Sequence, residues 1–282
     1  MHRGIRRADP LGCSPASVVR HASVREPRAA ETDRSRRPRP RGRHGLSAHL
    51  RPHGRQAVGA EALCRFTAAP LRTPDVWFAE AADVGLGIEL EITAVRRAVQ
   101  SLEWLDPSIA LGVNVSPEAS CSLELPELLE TVPAERLVLE ITENAPVHDY
   151  ERLGAALAPM RARGVRLAID DTCSGYASLR HVLHLRPDTI KLDITLTRGV
   201  ETDTARRLLV EALVGFAPSV GAEVLAEGIE GAEQLRTLMD AGVQLGQGHY
   251  LGRPGPLPNS GTWPAWGNAS TFMEAGEIAL KS

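Results

Sequence analysis

From residue 57 onward the chain alternates short apolar runs with longer amphipathic stretches. Runs at 57–63, 109–115, 136–142, 165–170, 189–193 and 222–227 read as strands, and a last short one falls near 248–252. Apolar residues spaced three and four apart predict helices over 75–104, 124–130, 149–163, 176–184, 202–219 and 231–241. Helix edges agree with this: Pro74 and Asp149 stand where helices start, and Gly164 and Gly242 where they stop. Strict alternation argues for parallel β/α units, with strands buried on both faces. The expected fold is α/β, a TIM-like (β/α) barrel. Seven strand candidates fall one short of eight. The first strand is therefore expected to be lacking or degraded, because HGLSAHLRPHG, just before residue 57, does not read as a buried strand.

Polar residues at the ends of these runs change the picture. Glu61 follows AVGA, Asn114 follows ALGV, Glu140 follows LVL, Asp170 and Asp171 follow RLAI, and Glu227 follows EVLA. In a parallel barrel the C-terminal ends of different strands converge on one mouth. Glu61, Asn114, Glu140, Asp170 and Asp171 would bring four carboxylates and one amide oxygen there. Such a set suits Mg²⁺ or Mn²⁺, not zinc, since no His or Cys stands on these strand ends. Neighbours on a strand point to opposite faces, so Asp170 and Asp171 can both serve only where the strand ends in a turn. Placed that way they could each hold, or jointly bridge, two metals about 4 Å apart. Taken singly, Glu61 could cap a helix, Asn114 could satisfy a turn, and Gln247 between two glycines could be turn chemistry.

Lys191 is the second anchor. The chain has 30 Arg and only two Lys, the other being Lys281. A lysine inside the apolar run TIKLD points to a need for a compact, flexible ammonium, for which the planar Arg fork is no substitute. The alternative is a satisfied ion pair with Asp193. His148, His181 and His184 read as solvated helix positions, and Glu143 and Glu230 as braces of the rim.

Composition divides the chain. Residues 1–58 carry 14 Arg and no Lys against 4 acids, while 59–282 carry 18 basic against 31 acidic residues. An acidic body argues against nucleic acid as a partner of the barrel and for concentration of divalent cations. The Arg/Pro-rich segment 1–56 cannot bury a core and is expected to be disordered. It reads as a solvated tail, as a basic arm for nucleic acid or acidic lipid, or as sequence outside the native coding frame. The organisation expected is 1–56 disordered, 57–258 barrel and 259–282 a C-terminal tail. Four scattered cysteines without CxxC spacing argue against a disulfide framework or zinc site. No apolar run approaches the ~20 residues of a membrane span, and the arginine-bearing start has no signal-like apolar core. A cytoplasmic protein is the expectation.

The ordered motifs GAEALCR at 59–65, NVS at 114–116, EITE at 140–143, IDDTCSGYASL at 169–179, IKLD at 190–193, AEGIE at 226–230 and GQGHYLGRP at 246–254 resemble EAL domains, the cyclic di-GMP phosphodiesterases. The resemblance implies a barrel enzyme using two Mg²⁺ or Mn²⁺ ions to hydrolyse cyclic di-GMP to linear pGpG, with a homodimer as a further possibility. By position, Glu61, Asn114, Glu140 and Asp170 match metal ligands, and Asp171 matches the acid serving the second metal. Lys191 matches the lysine that orients or activates the attacking water. Glu227 matches a glutamate acting as general base or further ligand. Gln247 and Arg65 match substrate-side residues, Arg65 the phosphate-binding one, and Glu143 matches the acid that anchors the loop after the Asp pair. Thr172 and Cys173 depart from the family's usual Phe and Gly in that loop. They keep a second function in view: a catalytically weak or inactive domain serving as cyclic di-GMP receptor or regulatory module.

Overall fold

The computed structural model describes residues 44–51, 56–66, 71–142, 147–172 and 176–255. Eight strands close into a barrel in chain order. They are β1 His44–Arg51, β2 Gln56–Cys64, β3 Ala110–Val115, β4 Leu137–Ile141, β5 Arg166–Thr172, β6 Thr189–Leu192, β7 Glu223–Ala226 and β8 Leu245–Gly246. Successive pairs from β2 to β8 are parallel, whereas β1 runs antiparallel to both β2 and β8. The TIM-like barrel expected from the alternation is present.

β1 corrects the expectation of a missing first strand, and it places barrel structure inside the 1–56 segment expected to be disordered. Leu46, Ala48 and Leu50 are buried and join the hydrophobic core, while Ser47 and His49 alternate with them and are buried as well. The period of two is that of a strand. Its polar members face the barrel interior beside Glu61, Gly59 and Gln247, so a search for apolar runs passes over it. Beyond the expected barrel's last motif, Gly255 pairs with Leu46 through both backbone bonds, 2.8 and 3.1 Å.

Two element limits also differ from expectation. The last strand is Leu245–Gly246, not 248–252, because the chain turns at Gly248, whose carbonyl accepts the Leu251 and Gly252 N–H groups. The helix read over 75–104 is two helices, α1 Pro74–Asp83 and α2 Gly87–Val99, followed by a 3₁₀ turn at Gln100–Glu103. Gly85, at φ +78°, breaks them apart.

The outer layer continues with α3 Pro117–Ser120, α4 Glu124–Leu129, α5 Tyr150–Ala162, α6 Tyr176–Leu185, α7 Ile194–Thr197, α8 Thr204–Phe216 and α9 Ala232–Asp240. Asp149 caps α5 by accepting from Arg152 N at 2.9 Å, and Asp203 caps α8. Leu125, Leu153, Leu157, Val182, Val210 and Leu235 from these helices join the core around the strands. Truncating one such leucine to Ala costs about 2–5 kcal/mol. Arginines close the ends of helices and turns. Arg163 donates to the carbonyls of Leu129 and Glu130, Arg161 to those of Leu185 and Arg186, and Arg136 to Leu102, Leu105, Asp106 and Ile109. The fork of a guanidinium serves several orphan carbonyls at once. Among the described residues no helix is long and apolar enough to cross a membrane.

Candidate active site

Each strand from β2 to β8 brings one polar side chain to the mouth. Glu61, Asn114, Glu140, Asp170 and Lys191 stand within β2 to β6, and Glu227 and Gln247 follow the last residues of β7 and β8. Asn114 and Glu140 are register partners on neighbouring strands. Asn114 Nδ2 donates to Glu61 Oε1 at 2.9 Å, and Gln247 Nε2 donates to Glu61 Oε2 at 2.8 Å and to Ser47 Oγ at 2.9 Å. These bonds set aside the helix-cap and turn alternatives for Glu61, Asn114 and Gln247. Glu61 is an inward-facing barrel residue held on both carboxylate oxygens.

Lys191 lies at the centre, 1 % exposed. Its Nζ is 2.7 Å from Glu140 Oε2, 2.8 Å from Glu227 Oε1, 3.0 Å from Asp170 Oδ1 and 3.8 Å from Glu61 Oε2. The Asp193 alternative falls away, since that side chain caps α7 by accepting from Thr195 N at 2.7 Å. Burial alone would lower the lysine's affinity for its proton, but Glu140, Glu61, Asp170 and Glu227 outweigh it, and its pKa rises well above the ordinary value. Lys191 is therefore a fixed ammonium, a donor and not a base.

Four acids around one ammonium cannot all be ionised comfortably. Burial pushes the Glu140 carboxyl up to about 8 despite Lys191, helped by Glu61 and Asp170. Glu227, nearer the mouth, is raised to about 7 by burial, against the pull of Lys191 and with Asp170 and Glu61 adding to the rise. Burial also acts to raise Glu61, but Lys191 and the bonds from Gln247 and Asn114 prevail and lower it. The set thus contains a firm carboxylate, a firm ammonium and two acids that exchange protons near neutrality. A group poised near pH 7 is what general acid–base chemistry requires.

The Glu227 segment is braced from behind. Thr197 Oγ1 donates to the Glu227 carbonyl at 2.6 Å. Buried Gln234 donates to the carbonyls of Thr197 and Gly228, both at 3.1 Å, and accepts from Glu230 N at 2.8 Å. Gly228, at φ +63°, packs so close to Ile194 that a Cβ would overlap its side chain. A recess of about 180 Å³ opens beside these residues, with Ser47, Glu227, Gln247 and His249 on its walls.

One oxygen each from Glu61, Glu140 and Asp170 lie within 4.8 Å of one another. The donors are all oxygen, with the Asn114 amide alongside, which fits a hard divalent cation of the Mg²⁺ or Mn²⁺ class. Asp171 belongs to β5 by its backbone, but its side chain, like Glu143 and loop residues 173–175, lies outside the described residues. Arg65, just past β2, is exposed and donates to the Cys64 carbonyl. His181 does not lie on a solvated face. It is buried on α6, with Tyr150 OH 3.4 Å from its Nδ1, and His184 stacks on the same tyrosine.

Sequence reading missed Ser47 and His49 because their strand was missed, and it missed Thr197 and Gln234 because side chain-to-backbone braces leave no local pattern. Gly112 was also passed over, although an interior strand glycine signals close approach. A Cβ there would overlap Glu140 Oε1.

Comparison with known proteins agrees with the barrel fold. The chain is 32 % identical over 250 residues to an uncharacterized signaling protein of Caulobacter vibrioides, covering 84 % of this chain and 30 % of the relative. It is 29 % identical over 174 residues to the probable cyclic di-GMP phosphodiesterase PdeN of Escherichia coli, covering 60 % of this chain and 33 % of the relative. The chain thus spans about a third of the length of these curated relatives. The manganese/cy-diGMP complex of Klebsiella pneumoniae BlrP1 superposes with a TM-score of 0.67 at 25 % identity, over 75 % of this chain and 55 % of that one. The family model named EAL domain matches residues 51–254, well over half of the sequence, and the chain belongs to the EAL domain family.

Proposed function

We propose that this domain is a divalent-metal-dependent phosphodiesterase that hydrolyses cyclic di-GMP to linear pGpG. One observation carries the reading: four carboxylates from four strands surround a single buried ammonium at the barrel mouth. Glu61, Asn114, Glu140 and Asp170 would hold one Mg²⁺ or Mn²⁺, and Asp171 would serve a second. Bound there, such ions neutralise phosphodiester oxygens and acidify water.

The chain's own residues then have defined tasks. Once Glu140 and Asp170 turn to the metal, Lys191 would have a free N–H on Nζ to hold the attacking water or a phosphoryl oxygen in line with phosphorus. Glu227, the most exposed of the acids around Lys191, takes the proton from that water as the new P–O bond forms. The P–O3′ bond breaks, and the departing 3′-oxygen takes a proton from solvent, so that one water is added overall. Gln247 keeps Glu61 oriented and faces the substrate recess. Arg65 binds a substrate phosphate, and Glu143 anchors the loop after the Asp pair. The homodimer belongs to the same reading, with exposed Leu179 and Leu183 of α6 offered to a second copy. Light scattering on Leu183→Glu tests it, the expected result being a monomer.

Incubation of the purified protein with cyclic di-GMP and Mn²⁺, with products separated by chromatography, tests the activity. Linear pGpG is expected. A folded, Mn²⁺-bound protein that yields none ends the enzymatic reading. Thr172 and Cys173, which depart from the family pattern, favour a second reading as receptor, and calorimetric binding of cyclic di-GMP without turnover would select it.

A further inference from the structure

A cavity of about 30 Å³ lies on the barrel axis below the acids, and residues from all eight strands line it. It exists because the inward positions at this level are small: Gly59, Ala110, Gly112 and Ala168. His49 of β1 fills part of that space, its ring packed over Gly59. Two polar atoms of the lining residues stand out. His49 Nε2 and Glu140 Oε1 are both buried, and neither has a hydrogen-bond partner among the described residues. Their side chains belong to residues 9 % and 0 % exposed.

An unpaired buried polar atom costs about 1–3 kcal/mol, and more where it carries charge. The lysine cannot relieve Glu140 Oε1, because its Nζ is already committed to Glu140 Oε2, Glu227 and Asp170. Water needs roughly 10–15 Å³ of accessible space and two to four polar partners. The cavity offers that space, and Thr189 and Arg166, besides Lys191, are further polar residues of its lining.

We propose that this cavity is a buried-water site in which His49 Nε2–H donates to a water that also hydrogen-bonds Glu140 Oε1. His49 is then a positioning residue. Through the water it holds the far oxygen of Glu140 over Gly112, so that Oε2 keeps its aim at the mouth. The consequence for metal binding rests on the function proposed above, whereas the water site itself does not.

A crystal structure of the metal-free protein, at a resolution that orders internal waters, tests the site directly. Density within hydrogen-bonding distance of both His49 Nε2 and Glu140 Oε1 is expected, and a dry cavity or a water touching only one of them overturns the proposal. Titration with Mn²⁺ alone tests the positioning role. His49→Leu should weaken Mn²⁺ binding about 10–100-fold, whereas His49→Gln, which retains a buried donor, should stay within about threefold. A His49→Leu protein that melts lower but binds Mn²⁺ as tightly as the parent shows a merely structural role and overturns positioning. Should the Leu variant not fold, His49→Gln decides alone: Mn²⁺ affinity kept with the water in place supports the proposal, and affinity lost with the water in place, or kept with the water gone, overturns it. A parent protein that binds no Mn²⁺ at all ends the metal-dependent reading while leaving the density to decide the water site.

Discussion

Lys191 Nζ lies 2.7 Å from Glu140 Oε2 inside the barrel, and both side chains are 1 % exposed. A buried ion pair of this kind contributes little net stability, because desolvation offsets the attraction. Here the balance is further from neutral, since Asp170 and Glu227 share the same ammonium. The pair is better understood as the fixed half of a cluster that is short of positive charge. Protons or a divalent cation complete it.

The protonation of this cluster sets the stability profile. Glu140 at about 8 and Glu227 at about 7 both lie above the ordinary value of 4.5. The folded protein therefore keeps protons that the unfolded chain releases, and their contribution is fully present below pH 4.5. It is lost as pH climbs through 7 and 8. The metal-free protein should melt several degrees lower at pH 8.5 than at pH 5.5, with Mn²⁺ restoring the difference. Scanning calorimetry with and without chelator measures this, and a melting temperature that rises with pH in chelator contradicts it.

Lys191→Met removes the only positive group within reach of Glu140, Glu227 and Asp170 among the described ion pairs. Breaking a buried pair on one side costs about 3–5 kcal/mol. The loss should be full at pH 8 and smaller at pH 5, where Glu140 and Glu227 carry protons. Turnover should fall about 10²–10³-fold as the donor to the attacking water or phosphate disappears. Denaturant melts at the two pH values and a turnover assay check both parts.

How far the sequence disclosed this site depended on the kind of pattern each residue leaves. Glu61, Asn114, Glu140, Asp170 and Glu227 were legible because a strand's apolar run marks its own end, and parallel strands share one mouth, whereas Lys191 was legible as a lysine inside an apolar run of a chain that otherwise uses arginine. β1 was illegible by the same test. Its inward side chains are Ser47 and His49, and only the alternation of Leu46, Ala48 and Leu50 marks it as a strand. The 75–104 helix divided at Gly85 because a positive-φ glycine ends one helix without leaving a break in the apolar spacing. Gln234 and Thr197 act by bonding to backbone far away in the chain, which no local pattern records.

Gly112→Ala tests whether the acid's position depends on empty space beside it. The added Cβ would overlap Glu140 Oε1, so either the carboxylate swings away or β3 shifts. Overpacking of this sort costs about 1–3 kcal/mol. The protein should still fold, with Mn²⁺ affinity reduced about 10–100-fold by the displaced acid. Unchanged Mn²⁺ affinity would show that Glu140 is not held where it acts.

Glu227→Gln separates proton acceptor from metal ligand. A base lost at this position should lower turnover about 10²–10⁴-fold and remove the rise in rate that accompanies ionisation of that base. Mn²⁺ affinity should change far less than in Glu61→Gln. Equal losses of affinity in the two variants would make Glu227 a ligand instead.

Gln234→Ala probes the brace behind Glu227. The side chain satisfies Glu230 N, Thr197 O and Gly228 O at once, and Thr197 in turn bonds the Glu227 carbonyl. Alanine leaves three backbone groups without that partner, at about 1–3 kcal/mol for each that water cannot reach. Each kcal/mol should appear as a fall in melting temperature of about 2–4 °C for a domain of this size. Glu61, Glu140 and Asp170 stand on strands and do not depend on this segment, so Mn²⁺ affinity should hold while turnover drops. Gln234→Glu should not rescue it, because a carboxylate would face the Thr197 and Gly228 carbonyls, acceptor against acceptor. A melting-temperature deficit that closes relative to the parent at low pH, where that carboxyl can donate, would confirm that the missing element is a donor and not bulk.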